Sequence, residues 1–205
     1  MKKISLWMLS VGLLCGTACL GSCNRNAEAD KADKTAVQDT IEVKKKVGFL
    51  AAVDNYLMDS IGSQYGPGSV CIPSVEIIGT NEENPDSVVV WGDFWVFNYN
   101  LVGDTLKTVS GGDHPGKMCV VKGKDGKFHV TTFEQVEDGH GNLESAKRIF
   151  GDQYEKFHAF NSNEEKREEA RVRDLVYFLK VNKLPYKHYQ DYGWPARELT
   201  VNSEQ

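Results

Sequence analysis

Three sets of side chains in this chain have types and spacings that can do chemistry. The first is Cys23, which follows Leu20, Gly21 and Ser22. A thiol is a good nucleophile for a glyceryl group, and a small residue at Ser22 lets a peptidase reach the bond before it. The second is Asp54. It interrupts the apolar face formed by Leu50, Val53, Leu57 and Ile61, and projects between Val53 and Met58 at about 100° per residue. Burial there would raise its pKa and make it a general base or a ligand anchor. The other reading is a structural Asp, bonded to a Tyr, a Trp or the backbone or lying at the helix rim. The third is Asp93, which alternates onto one strand face with Trp91, Trp95, Phe97 and Tyr99. An acid among aromatics binds a cation or a polar ligand head. Alternatively it is a bulge residue beside Gly92, its carboxylate taken up by backbone donors. Asp54, Asp93, Trp91 and Trp95 are the expected ligand-binding residues if both acids face one cavity.

The other motifs are weaker. Ser110 to Gly116 is glycine-rich and holds Asp113-His114. Its amides can form an anion nest, but it has neither a phosphate-loop nor a nucleophile-elbow pattern and reads as a tight turn between strands. His114, His129, His140, His158 and His188 show no His-x3-His spacing, and no Cys-x2-Cys occurs, so no zinc site and no cofactor are expected. Asp138-Gly139-His140-Gly141-Asn142 lacks the length and terminal acid of a calcium loop. Cys71 and Cys119 sit in predicted strands, a poor place for an activated nucleophile. They either pair, which would constrain the unfolded chain by about 4 kcal/mol, or stay as buried free thiols. Spacing alone leaves both open. Tyr186, Tyr189, Tyr192 and Trp194 form an aromatic cluster that plugs a sheet, walls a pocket or presents a partner surface.

Leu20-Gly21-Ser22-Cys23 resembles the lipobox of bacterial lipoprotein signals. It comes after basic Lys2 and Lys3 and an apolar run from Ile4 to Leu14, shorter than the ~20 residues of a membrane-spanning helix. The resemblance implies that residues 1–22 are a signal peptide and that Cys23 is acylated and becomes the first residue. A signal cut elsewhere, releasing a soluble protein, is the alternative. With two or more acyl chains the membrane is a partner through the lipid anchor, with no spanning segment needed. Asn24 resembles the pattern that permits transfer to an outer membrane. Cleavage takes Lys2 and Lys3 from 24 basic residues; the 22 left stand against 29 acidic ones, a formal charge of −7. So acidic a protein repels nucleic acid, which is excluded as a partner.

The elements that must position these groups follow from pattern. Residues 23–44 are polar and poor in large apolar side chains, and read as a lipidated tether reaching about 25 Å. Residues 45–205 are enough for one core. Lys45 to Tyr65 predicts a helix stopped by Gly66-Pro67-Gly68. Strands are expected at Val70–Gly79, at Ser87–Val102 (apolar on both faces, hence central), at Thr105–Ser110, and at Lys117–Lys122 and Phe128–Val136 around Asp125-Gly126. Two short helices, Leu143–Phe150 and Asp152–Phe160, break near Gly151. A capping box at Ser162 and Glu165 starts a last helix to Asn182, with Val172, Leu175, Val176 and Leu179 as its stripe. Tyr186 to Val201 reads as irregular and packed on the sheet.

The expected fold is α+β: an N-terminal helix on a curved antiparallel sheet of four to five strands, then C-terminal helices. Over residues 45–137 the order resembles cystatin-like cones, including the nuclear-transport-factor-like superfamily. Trp91-Gly92-Asp93-Phe94-Trp95-Val96-Phe97-Asn98-Tyr99, Ser110-Gly111-Gly112-Asp113-His114-Pro115-Gly116 and Tyr189-Gln190-Asp191-Tyr192-Gly193-Trp194 resemble strings in secreted and lipid-anchored proteins of gut bacteria, notably Bacteroidetes. That resemblance implies no activity. Three functions remain open: a non-catalytic envelope module binding a small molecule or protein, a proton-transfer enzyme using Asp54, and an immunity-type protein that plugs a toxin.

Overall fold

The computed structural model describes residues 48–200. The signal peptide, Cys23, the tether and the first residues of the expected helix lie outside the described residues. Helix α1 covers residues 48–56, widens into a π turn at Leu57–Ile61 and closes as a 3-10 turn at Gly62–Gln64. Phe49, Val53, Leu57 and Ile61 recur every four residues and are all buried, so this segment is held by its apolar face. Gly62 is required where it lies, because a Cβ would meet Cys71 Sγ and Val96.

The strands are β1 (Val70–Asn84), β2 (Ser87–Val102), β3 (Thr105–Asp113), β4 (Gly116–Lys122), β5 (Phe128–Gln135), β6 (His188–Gln190) and β7 (Arg197–Glu198). All join one sheet, in the order β5-β4-β2-β3-β6-β7, with β1 also on β2. The fold is α+β as expected, but the sheet is larger and differently built. Seven strands replace four or five, and β6 pairs parallel with β3, so the sheet is mixed rather than antiparallel. The segment expected to be irregular supplies both extra strands. Short strands with a buried Tyr189 between polar neighbours carry too weak an alternation to read from sequence.

β2 is central. One edge pairs with β1 along nearly its whole length. The other edge is divided between β4, over Ser87–Gly92, and β3, over Trp95–Val102. Asp93 and Phe94 fall at this division, where His114 N–H donates to the Phe94 carbonyl at 2.7 Å.

β2 is buried on both faces. Val88, Val90, Phe94 and Val96 pack with Met118, Val120 and the buried residues of α1. The opposite face meets three helices: α2 (Asn142–Phe150), α3 (Tyr154–Asn161) and α4 (Glu164–Val181). There Trp91 packs with α2 and α3, and Tyr99 with Leu175 and Leu179 of α4. Gly151, at φ 50°, makes the break between α2 and α3. The expected capping box is not formed. Asn163 is the cap, its Oδ1 accepting the Lys166 N–H at 3.0 Å, while Ser162 Oγ donates to the His158 carbonyl. Among the described residues no helix is long and apolar enough to cross a membrane.

Candidate functional site

Strand alternation sends Asp93 and Trp95 to the face covered by α4. On the other face Gly92 makes room for Phe94, since a Cβ there would lie 2.6 Å from the Phe94 ring and 3.0 Å from the Glu76 carbonyl oxygen. In register, Glu76 opposes Asp93, Ser74 opposes Trp95, and Asp113 opposes Trp95 from the other side. Paired residues share a face and diagonal ones lie within side-chain reach, so Asp93 and Asp113 approach each other.

Helix α4 closes the site through a match of periods. Arg167, Arg171, Leu175 and Leu179 are four residues apart, about 6 Å of helix; Trp95, Phe97 and Tyr99 are two apart, about 6.6 Å of strand. The Arg167 guanidinium lies 4.3 Å from the centre of the Trp95 ring. That of Arg171 lies 4.2 Å from the centre of the Phe97 ring and 5.1 Å from that of Tyr189.

The two arginines end in different environments. Arg171 is 4% exposed and fully engaged. It donates to Asp191 through both terminal nitrogens at 2.8 Å, to Tyr99 Oη at 3.2 and 3.1 Å, and to Thr108 Oγ1 at 3.1 Å. Burial pushes the Tyr99 phenol up to about 12. Against the upward push of burial, bonds from Arg171 and Thr108 hold Asp191 below the usual carboxylate range. This is a closed structural network tying α4 to β2, β3 and the turn after β6.

Arg167 is less completely held. It donates to Asp113 Oδ2 at 2.9 Å and to the Asn161 carbonyl at 3.3 Å. Its Nε stops 3.9 Å from Asp93 Oδ2. Asp93 is 1% exposed, and among the described residues neither of its carboxylate oxygens, nor Asp113 Oδ1, nor Arg167 Nε has a hydrogen-bond partner. Burial, then hydrogen bonding and repulsion from Asp93, raise the Asp113 pKa well above the ordinary carboxylate range. Asp113 thus keeps its proton and can give it to Asp93, because a second buried negative charge beside the first is costly. Ser74, Glu76, Asp93, Trp95, Phe160, Arg167 and Ala170 line a pocket of about 170 Å³, its open mouth included. Most of that space is the mouth; the enclosed part is about 10 Å³, room for one water-sized group, so the site fits a terminal group rather than a whole ligand.

The residues singled out from sequence are therefore divided. Asp93 and Trp95 come together at the pocket. Trp91 shares their face but belongs to the α2–α3 cluster, its Nε1 donating to the Ile149 carbonyl at 2.8 Å. Asp54 lies on α1, which packs on the opposite face, so one cavity does not contain both acids. Burial, reinforced by the charge of Asp174, raises Asp54 to about 7. Cys71 and Cys119 are free thiols. Cys71 packs on the α1 side, whereas Cys119 alternates with inward-facing Met118 and Val120 and so lies across the sheet from it. The glycine-rich segment is not the tight turn expected: Ser110–Asp113 end β3, which runs on into β4 along the same edge of β2, and its two polar side chains part. Asp113 reaches the pocket, while His114 bonds Tyr65 Oη through Nε2 at 2.9 Å and Gln135 Oε1 through Nδ1 at 3.0 Å.

Arg167, Asp113, Glu76, Ser74 and Phe160 were missed. A signal existed for Arg167: with Arg171 it continues the Leu175–Leu179 stripe backwards at steps of four, which marks charged side chains on a buried helix face. Among the described residues no cluster of three or more His, Cys, Asp or Glu side chains is placed to hold a metal ion. No protein-family model, no curated protein and no solved structure matches this chain.

Proposed function

We propose that this chain is a lipid-anchored envelope protein, moored through Cys23 on the outer membrane, whose described domain is a non-catalytic binding module. The observation that carries the binding reading is Asp93. A wholly buried carboxylate whose one donor is the carboxyl of Asp113 keeps lone pairs unsatisfied, which is unfavourable in a folded protein, and a group that supplies further donors stabilises it. Asp93 is one of the residues that line the pocket, together with Trp95 and Arg167. Rigid strands β1 and β2 hold four of the lining side chains, so the pocket is formed before a ligand arrives.

The test is a screen of small polar probes of mixed charge by saturation-transfer NMR, with the wild-type domain and with Asp93→Asn. Hits that disappear in the variant support the reading; hits indifferent to it, or none, count against it. Mass spectrometry of the natural product tests the anchor separately. The expected mass carries acyl groups on Cys23, and an unmodified thiol or an intact leader would remove that half of the proposal.

A second reading, a proton-transfer enzyme using Asp54, is favoured by its pKa of about 7, suited to a general base. It places the chemistry on the α1 face and requires nothing of Asp93. Retained turnover of a substrate in Asp93→Asn and its loss in Asp54→Asn would distinguish it.

A further inference from the structure

We infer that the Asp93 pocket takes a primary ammonium group on a slim alkyl stem. This rests on the binding reading above and gives its ligand a chemical class.

The charges around the pocket are one cation short. Asp93, Glu76, Asp113 and Asp174 are four carboxyl groups that line it or bond to its walls; Arg167 and Arg173 are the two guanidinium groups set among them. With Asp113 holding its proton, three negative charges face two positive ones. Arg167 does not make up the difference. Its hydrogen bonds go to Asp113 and the Asn161 carbonyl, and its Nε remains 3.9 Å from Asp93.

The donors that are missing fit an ammonium head. Such a group has three N–H bonds and no acceptor. Beyond the Asp113 carboxyl, Asp93 offers unfilled acceptor positions on its two oxygens. Ser74 gives its own hydrogen to Asp174 Oδ2 at 2.8 Å, which leaves Oγ as an acceptor. Glu76 adds a carboxylate on the same wall. Phe160, Ala170 and the edge of Trp95 can flank an alkyl stem. A quaternary ammonium is disfavoured on two grounds: it has no N–H for Asp93, and the face of Trp95 that would stack on it is already covered by Arg167. An alcohol supplies one donor and no charge, and a carboxylate would meet the same sign as the walls.

The experiment titrates the domain with n-butylammonium, n-butanol, butyrate and tetramethylammonium at equal concentration and ionic strength, following the Trp95 indole resonance. Only n-butylammonium is expected to saturate, with a millimolar dissociation constant. Asp93→Asn, checked for native circular dichroism, should weaken it at least tenfold, and Glu76→Gln severalfold. Adding Nα-acetyl-lysine amide and 1,4-diaminobutane separates a peptide lysine from a free polyamine as the natural source, according to which binds more tightly. Unchanged butylammonium binding in Asp93→Asn, or the absence of saturation, overturns the inference. Saturation by butanol or butyrate instead, lost in Asp93→Asn, overturns the ammonium class while leaving the pocket a binding site.

Discussion

Arg167 Nε and Asp93 Oδ2 are 3.9 Å apart, close enough for attraction and too far for a hydrogen bond. The carboxylate is buried and the guanidinium bonds Asp113 instead, so the carboxylate charge has no hydrogen-bonded counter-ion. Asp93→Asn removes that charge and gives Asp113 Oδ1 a donor. The unliganded variant is expected to be more stable than the wild type by about 1–3 kcal/mol. Urea unfolding at pH 7 measures it; a destabilised variant would mean that Asp93 is already neutralised in the folded protein.

Arg171 should behave in the opposite way. Its bonds to Asp191, Tyr99 and Thr108 are complete, and truncation would strand Asp191 and the Tyr99 hydroxyl. Arg171→Ala is expected to cost about 3–5 kcal/mol, and Arg171→Lys to recover little of it, because an ammonium cannot reproduce the planar fork. Denaturant midpoints of the two variants decide this.

At the free edge of β1, Asp174 Oδ2 accepts the Val75 N–H at 2.9 Å, and Arg173 approaches the Val75 carbonyl at 3.5 Å. Two helix side chains occupy the place of a neighbouring strand and cover the edge. Asp174→Ala should cost about 1–3 kcal/mol and expose the Val75 amide. Hydrogen exchange reads the effect at that residue: protection should fall at Val75 and remain at Phe94 in the sheet interior.

Asp54 gives stability a pH dependence. Its folded pKa, about 7, is above the unfolded value near 3.8, so between these limits the folded state holds the proton that the unfolded state has lost. Stability therefore falls as pH rises from about 4 to 7, by an amount on the order of 3–4 kcal/mol if no other group compensates. Asp54→Asn should flatten that decline. Thermal melts at half-unit pH steps would show it, and an unchanged slope would contradict the buried carboxyl.

The two thiols should both remain reduced. Cys71 and Cys119 lie on opposite faces of the sheet, and burial, then the charge of Asp59, raises the Cys71 pKa and slows its reaction. Alkylation after unfolding without reductant should label both; a mass two hydrogens lighter with no label would refute the placement.

Much of the frame was legible because it depends on local pattern. The run from Ser87 to Val102 is apolar on both faces, and it is the central strand. Asp125-Gly126 marked the hairpin between β4 and β5, and Gly151 the break between helices. β6 and β7 were not legible, because three- and two-residue strands owe their existence to the β3 edge they pair with and not to any periodicity of their own. The true cap of α4 was a matter of one residue: Asn163, like Ser162, carries a side-chain oxygen that can accept, and it is the one whose backbone is extended.

For the site, the amino-acid sequence by itself determined which residues share a strand face, since alternation is a property of the pleat. It thereby put Asp93 with Trp95, and on α1 put Asp54 among buried positions. Only the tertiary structure decided which face each helix covers, and so separated Asp54 from Asp93, brought Arg167 of α4 over Trp95, and set Asp113 beside Asp93 from a strand twenty residues away. Those choices rest on how whole elements bury their apolar faces against one another, a sum over the sheet that no local window contains.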